Sequence, residues 1–222
     1  MTSRLLAAAA LSAALLVTSP AEAEVYLVDR IVAVVGKAPI LLSTLRTRCL
    51  PFLTMARRQI EDETQLMIAE SKVYRQMLDT LVNERLVARQ AAQEQIAVID
   101  GEVDKAIDSV AEQNSMTREE LMAEIKRNSL TETSYRAEIS RQILEGKVLM
   151  RRLAASPFMV TEAQLRARYD ELKKADPDAV PSFEEARSQL TDHFRVQWMQ
   201  EEKKRMLSQL RATIHVEVRL VP

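Results

Sequence analysis

Thr213-Ile214-His215-Val216-Glu217-Val218-Arg219-Leu220 alternates without a break, which sets Ile214, Val216, Val218 and Leu220 on one face of a strand. A single strand has nothing of its own to pair with, and a lone two-stranded ribbon is marginal in water. The only other strand-like stretch lies far away in the chain. Val25 to Val35 is rich in Val and Ile, Gly36-Lys37 reads as a turn, and Pro39-Ile40-Leu41 reads as a short return. The economical solution pairs the last strand with this hairpin. That brings the two ends together and packs a helix over 182–212 against the N-terminal helices.

Between those ends the pattern is helical. Only 3 of 222 residues are glycine, and Leu, Ala, Glu and Arg abound. Ser43 looks like an N-cap for a helix over 44–53 that Pro51 ends or kinks. Residues 57–71 are polar and weakly periodic, leaving a helix and a mobile insertion both open. Tyr74, Met77, Leu78, Leu81, Val82 and Leu86 then recur at three- and four-residue steps as one apolar stripe. Asp100 reads as the cap of a helix aligning Val103, Ile107 and Val110. Thr117 with Glu120, Thr161 with Gln164, and Ser182 with Glu185 have capping-box spacing. A longer helix starts near Tyr135, Ile139 and Ile143 and runs to about Leu153. Asp176 to Pro181 carries two prolines and cannot continue a helix.

The N-terminus reads as a targeting segment. Arg4 precedes the apolar run Leu5–Val17, Pro20 breaks it, and Ala21-Glu22-Ala23 is a small-x-small site. The run is too short for a bilayer span of about 20 residues. Cleavage after Ala23 is expected, with export to the periplasm and no integral span afterwards. The net charge of −1 argues against a nucleic-acid footprint.

Catalytic and metal-binding patterns do not emerge. The histidines are His193 and His215 alone, and the one cysteine is Cys49, so no cluster with zinc spacing exists. His193 follows Asp192 on a helix, where adjacent residues point apart, so a solvated face is the better reading. His215 reads as a surface strand residue, and Cys49 as a small, partly buried helix residue. No Gly-rich phosphate loop or nucleophile elbow is present. No metal and no cofactor is expected, and no nucleotide. Trp198 reads as a core residue pinning the long helix to the N-terminal helices. The methionines Met116, Met122, Met150, Met159, Met199 and Met206 suit a pliable surface for varied apolar partners, with core filling as the plainer role.

The order of these elements resembles the SurA-type periplasmic chaperone family. The matching stretches are 28–37, 78–86, 98–116, 135–144, 182–185 and 198–201, together with the closing strand. The resemblance implies a mainly α fold: a helical SurA-like module with a small antiparallel sheet from the N-terminal hairpin and the C-terminal strand. On it, residues 1–23 are a signal peptide, 24–175 a helical domain with a leading hairpin, and 182–222 a helix and strand that complete it. Two departures stand out. The family usually has Asn before the hairpin Gly, where Val35 stands here. Members usually also carry parvulin prolyl-isomerase domains where this chain has only the 176–181 linker, so isomerase activity is not carried over.

The implied function is ATP-independent binding of unfolded or extended polypeptide, with outer-membrane β-barrel precursors as clients. Met122 and Met150 are the candidate client-contact residues. A second reading is a non-catalytic envelope scaffold that holds one dedicated folded partner. The oligomeric state is open.

Overall fold

The first and last strands of the described residues meet in one sheet. The computed structural model describes residues 29–128, 130–176 and 180–219; the expected signal peptide, its cleavage site and Leu220 lie outside them. Strands β1 (Ile31–Val35) and β2 (Ala38–Leu41) form a hairpin, and β3 (Val216–Val218) pairs with β1 in the order β2-β1-β3. Both pairings are antiparallel, with Val35 opposite Ala38 on one side and opposite Val216 on the other. Gly36 has φ +61, the left-handed side of backbone space that favours glycine, at the first position of the two-residue turn. A Cβ at Gly36 would meet the Arg89 guanidinium, a flexible tip that can shift, so the backbone conformation sets the cost. An L-residue in this region costs about 1–2 kcal/mol. Gly36→Ala should therefore lower the melting temperature by about 2–8 °C, at about 2–4 °C per kcal/mol for this chain length. Thermal unfolding followed by circular dichroism checks it.

β3 is shorter than the alternation suggests. Ile214 is buried and Val216 half-buried, but Val218 is 49% exposed. The apolar cover supplied by the helices reaches Ile214 and Val216 and ends there.

Helix α1 (Leu42–Gln59) springs directly from β2. Its first turn is capped from outside, not by Ser43 as its own N-cap. Asp29 accepts from the Ser43 N–H at 3.2 Å and from its hydroxyl, and that hydroxyl bond holds the Asp29 carboxyl below its usual range. Pro51 neither ends nor breaks α1. The carbonyl it deprives belongs to Thr47, and both residues are exposed, so solvent can meet it. Burial of Cys49 and Leu53 on the inner face holds the turns on either side. The 57–71 stretch is helical apart from 60–62: α2 (Glu63–Gln93) starts at an Asp62 cap, which accepts from the Gln65 N–H at 2.7 Å.

Helices α3 (Asp100–Gln113), α4 (Arg118–Arg127), α5 (Glu132–Leu153), α6 (Glu162–Ala175) and α7 (Phe183–Thr213) follow. The cap of α3 is Ile99, one residue earlier than Asp100, because the Glu102 carboxylate reaches back to the Ile99 N–H at 3.0 Å. The Thr117/Glu120 and Thr161/Gln164 boxes form as spaced, and the Ser182 N–H donates to Glu185 at 2.9 Å.

Three apolar clusters hold the described residues together. The largest joins the sheet to α1, α2, the end of α5 and the end of α7, with Val32, Leu45, Cys49, Leu86, Met206 and Leu210 among its members. A second, around Val103, Ile107, Leu121 and Ile139, packs α3 and α4 on the first half of α5. The third pairs Leu165 of α6 with Ala186 and Leu190 of α7. Trp198 belongs to none of these. It is half-buried against Phe158, between α5 and α6, with ring centroids 5.6 Å apart, so it does not pin α7 to the N-terminal helices.

Candidate functional site

The apolar stripe of α2 outruns its cover. From Tyr74 to Leu86 it is packed into the largest cluster. Three turns before Leu78, and nearly four before Val82, the same face carries Met67 and Ile68, which are 65% and 62% exposed. No residue from 54 to 72 belongs to any of the three clusters; the largest takes Leu53 from α1 and resumes at Val73. The far end of the α1–α2 hairpin thus stands clear of the body, and residues 63–72 of α2 alone extend about 15 Å. Leu50, Phe52 and Met55 of α1 are exposed as well. The hairpin keeps its shape through the Asp62 cap and an Arg57–Glu70 ion pair at 2.7 Å. Five large apolar side chains left exposed within one helical hairpin make it the candidate interaction surface.

Sequence reasoning missed this surface. The signal was the phase of Met67 and Ile68 with Leu78 and Val82, diluted by the charged residues among them. The two residues the sequence singled out fall in different surroundings. Met122 is half-buried and packed against the second cluster. Met150 lies on α5 and is 63% exposed. Met159 is exposed too, whereas Met206 is buried.

Beside the hairpin's base, a cleft of about 720 Å³ opens between α1, α2, α5 and α7. Its walls mix aliphatic side chains, Leu81, Val87, Leu144 and Leu207, with charged groups that pair with one another. Arg48 bonds Glu84 at 2.8 Å and lies 3.2 Å from Glu138, which also accepts from Arg141 at 2.7 Å. Burial alone would push the Glu138 carboxyl up, but hydrogen bonds from Arg141 and Gln142, with Arg48 nearby, outweigh it and hold the group low. Glu84 and Glu138 are thus engaged in ion pairs with Arg48 and Arg141. Burial raises the Cys49 thiol to about 11, which leaves it protonated and inert at neutral pH. His193 and His215 are exposed. Among the described residues, no group of three or more His, Cys, Asp or Glu is placed to hold a metal ion, and no helix is long and apolar enough to cross a membrane.

A second ion-pair network ties the helices of the second cluster. Asp104 of α3 accepts from Arg136 of α5 and Arg118 of α4, each at 2.6 Å, and those two bonds hold its carboxyl below the usual range. A carboxyl lowered by folding contributes stability above its unfolded value, near pH 4, and that contribution is lost as pH falls through the folded value. Asp104→Asn should therefore melt below the wild type at pH 7. The gap should close as the pH is taken below about 4. A gap that persists unchanged at low pH would refute the ionic role.

Comparison with known proteins agrees with the architecture. A family model described as a SurA-like N-terminal domain matches residues 6–149. The protein named Chaperone SurA of Methylobacillus flagellatus is 28% identical over 143 residues, which are 64% of this chain and 32% of that one. Its namesake in Cupriavidus metallidurans is 34% identical over 120 residues, 53% of this chain and 23% of that one. The chain spans about a third or less of the length of these relatives. A solved chain from work on PEB4 and Cj1289, described as SurA-like chaperones of Campylobacter jejuni, superposes with a TM-score of 0.56. The match covers 85% of this chain and 98% of that one at 14% identity, a likeness of fold.

Proposed function

The chain belongs to the family of SurA-like N-terminal domains, and from that premise we propose that it is a non-catalytic, ATP-independent periplasmic chaperone for unfolded polypeptides. Its clients are outer-membrane β-barrel precursors. The observation that carries this reading is the uncovered apolar end of the α1–α2 hairpin, with Met67 and Ile68 exposed on α2. Precursors of β-barrels alternate apolar and polar residues and have unpaired backbone until they insert. An exposed, Met-bearing apolar surface meets such chains without demanding a fixed shape, because methionine repacks readily.

Release without a nucleotide requires modest affinity. Micromolar binding corresponds to about −8 kcal/mol. Contact through apolar side chains should also survive moderate salt, since screening acts on charges.

The test is direct. The protein, added in several-fold molar excess to an unfolded outer-membrane barrel protein diluted from urea, should suppress light scattering with no nucleotide present. It should leave X-Pro isomerisation at its uncatalysed rate. Unchanged scattering at that excess would sink the chaperone reading and favour a scaffold that binds one folded partner.

A further inference from the structure

The three-stranded sheet has two edges, and they are unlike. Along β3, the Gly36 N–H donates to the His215 carbonyl at 2.8 Å, and the Arg219 N–H donates to the Val32 carbonyl at 2.9 Å. Residues 215, 217 and 219 therefore aim their main-chain groups at β1. Successive residues of a strand alternate in this respect, so Val216 and Val218 aim theirs outward. No strand lies beyond β3 among the described residues.

On the opposite edge, Ala38 and Ile40 face β1 across the hairpin, which turns the main chain of Pro39 outward. Proline has no N–H to offer, and Leu41 then leads straight into α1. Proline is a common device for blunting a sheet edge. The β2 edge is blunted in this way, while β3 bears outward N–H and C=O groups on two residues.

We propose that β3 is an augmentation edge, on which an extended stretch of client polypeptide adds as a fourth strand through the outward groups of Val216 and Val218. The inference rests on the polypeptide-binding reading above and gives it a second place and a mode. Main-chain pairing reads no sequence, which a holder of varied clients requires. The flanking side chains nonetheless favour one pattern. Val216 and Val218 lie on one face of β3, and His215, Glu217 and Arg219 on the other. A strand alternating apolar and polar residues matches both faces through cross-strand pairs. A second copy of this chain is a poorer occupant. A stable association buries about 800 Å² per partner, far more than a three-residue edge supplies, whereas a client already held on the α1–α2 hairpin needs only a few added bonds.

The experiment uses the full chain, labelled with ¹⁵N, and a synthetic ten-residue peptide of alternating Thr and Val. On peptide addition, hydrogen exchange at the Val216 and Val218 amides should slow at least tenfold. Val218→Pro removes one outward donor and breaks no bond within the sheet, so it should weaken peptide binding at least tenfold and leave melting nearly unchanged. Val218→Thr, which keeps the main chain, should bind as the wild type does. Exchange at 216 and 218 that stays fast with peptide bound overturns the proposal, and it does so even if Val218→Pro fails to fold. Equal weakening by Pro and Thr also overturns it, since side chains would then make the contact. Slowing that depends on protein concentration without peptide would assign the edge to a second copy and overturn the client. If the edge fails while light scattering is still suppressed, the chaperone reading stands without it; if suppression fails, that reading falls by its own test.

Discussion

Removing residues 213–222 should lower the melting temperature by about 10–20 °C. The deletion takes Ile214 and Val216 from the largest cluster and strips one of the two partners of β1. A fully buried aliphatic side chain contributes about 1.5–3 kcal/mol, and the half-buried valine about half of that. Two bonds that tie the strand to the hairpin's turn and to Val32 also go. Val32, Ala33 and Val35, now at most 3% exposed, would face solvent along the open side. Together these come to about 4–6 kcal/mol, a large share of the 5–15 kcal/mol that stabilises a typical domain. At about 2–4 °C per kcal/mol, the shift is easily read by calorimetry. An unchanged transition would mean that β3 contributes nothing to the fold.

Replacing Met67 and Ile68 together by Gln should cut client binding about tenfold or more while the melting temperature stays within about 2 °C. Both side chains are exposed and outside every cluster, so their loss leaves no cavity. If they meet client, each forfeits part of the roughly 1.5–3 kcal/mol that burial of such a side chain provides. About 1.4 kcal/mol in total is already tenfold. Met122→Gln is the control of opposite sign. It places an amide in the second cluster and should lower the melting temperature with little direct effect on binding. Met150→Gln, on exposed helix, should leave melting alone, and its binding reports whether client contact extends to the end of α5. Anisotropy of a labelled unfolded barrel protein gives the affinities. Retained affinity in the Met67/Ile68 double variant would remove the hairpin from the site.

The parts of the fold that read correctly from sequence are those where local pattern and tertiary burial agree. The strict alternation near Val216 and the Val-rich β1 each demand a partner, and each is the other's. The stripe from Tyr74 to Leu86 is regular because all of it is covered, and the Thr117 and Thr161 boxes are local enough to need no context. Pro51 misled because its local penalty is real, yet Cys49 and Leu53 bury on either side of it and hold the turn. Ser43 misled because the capping carboxylate comes from Asp29, which precedes the hairpin. The α1–α2 tip was hardest to see. Its helices form without an apolar face pressed on the body, so the periodicity that normally announces a helix is reduced there to Met67 and Ile68.

The pairing of β1 with β3 also sets a clock. Ala33 lies opposite Val218, so the central strand is made long before its partner. Ribosomes add about 5–20 residues per second, so the nascent chain spends about 10–40 s with that side of β1 unpaired. Contacts this remote in sequence also slow the final closure, because a long loop must be drawn in before the contact rewards it. Throughout that interval a bare, Val-rich strand is open to wrong partners. The protein therefore passes through the same hazard during its own synthesis that its proposed clients face before insertion.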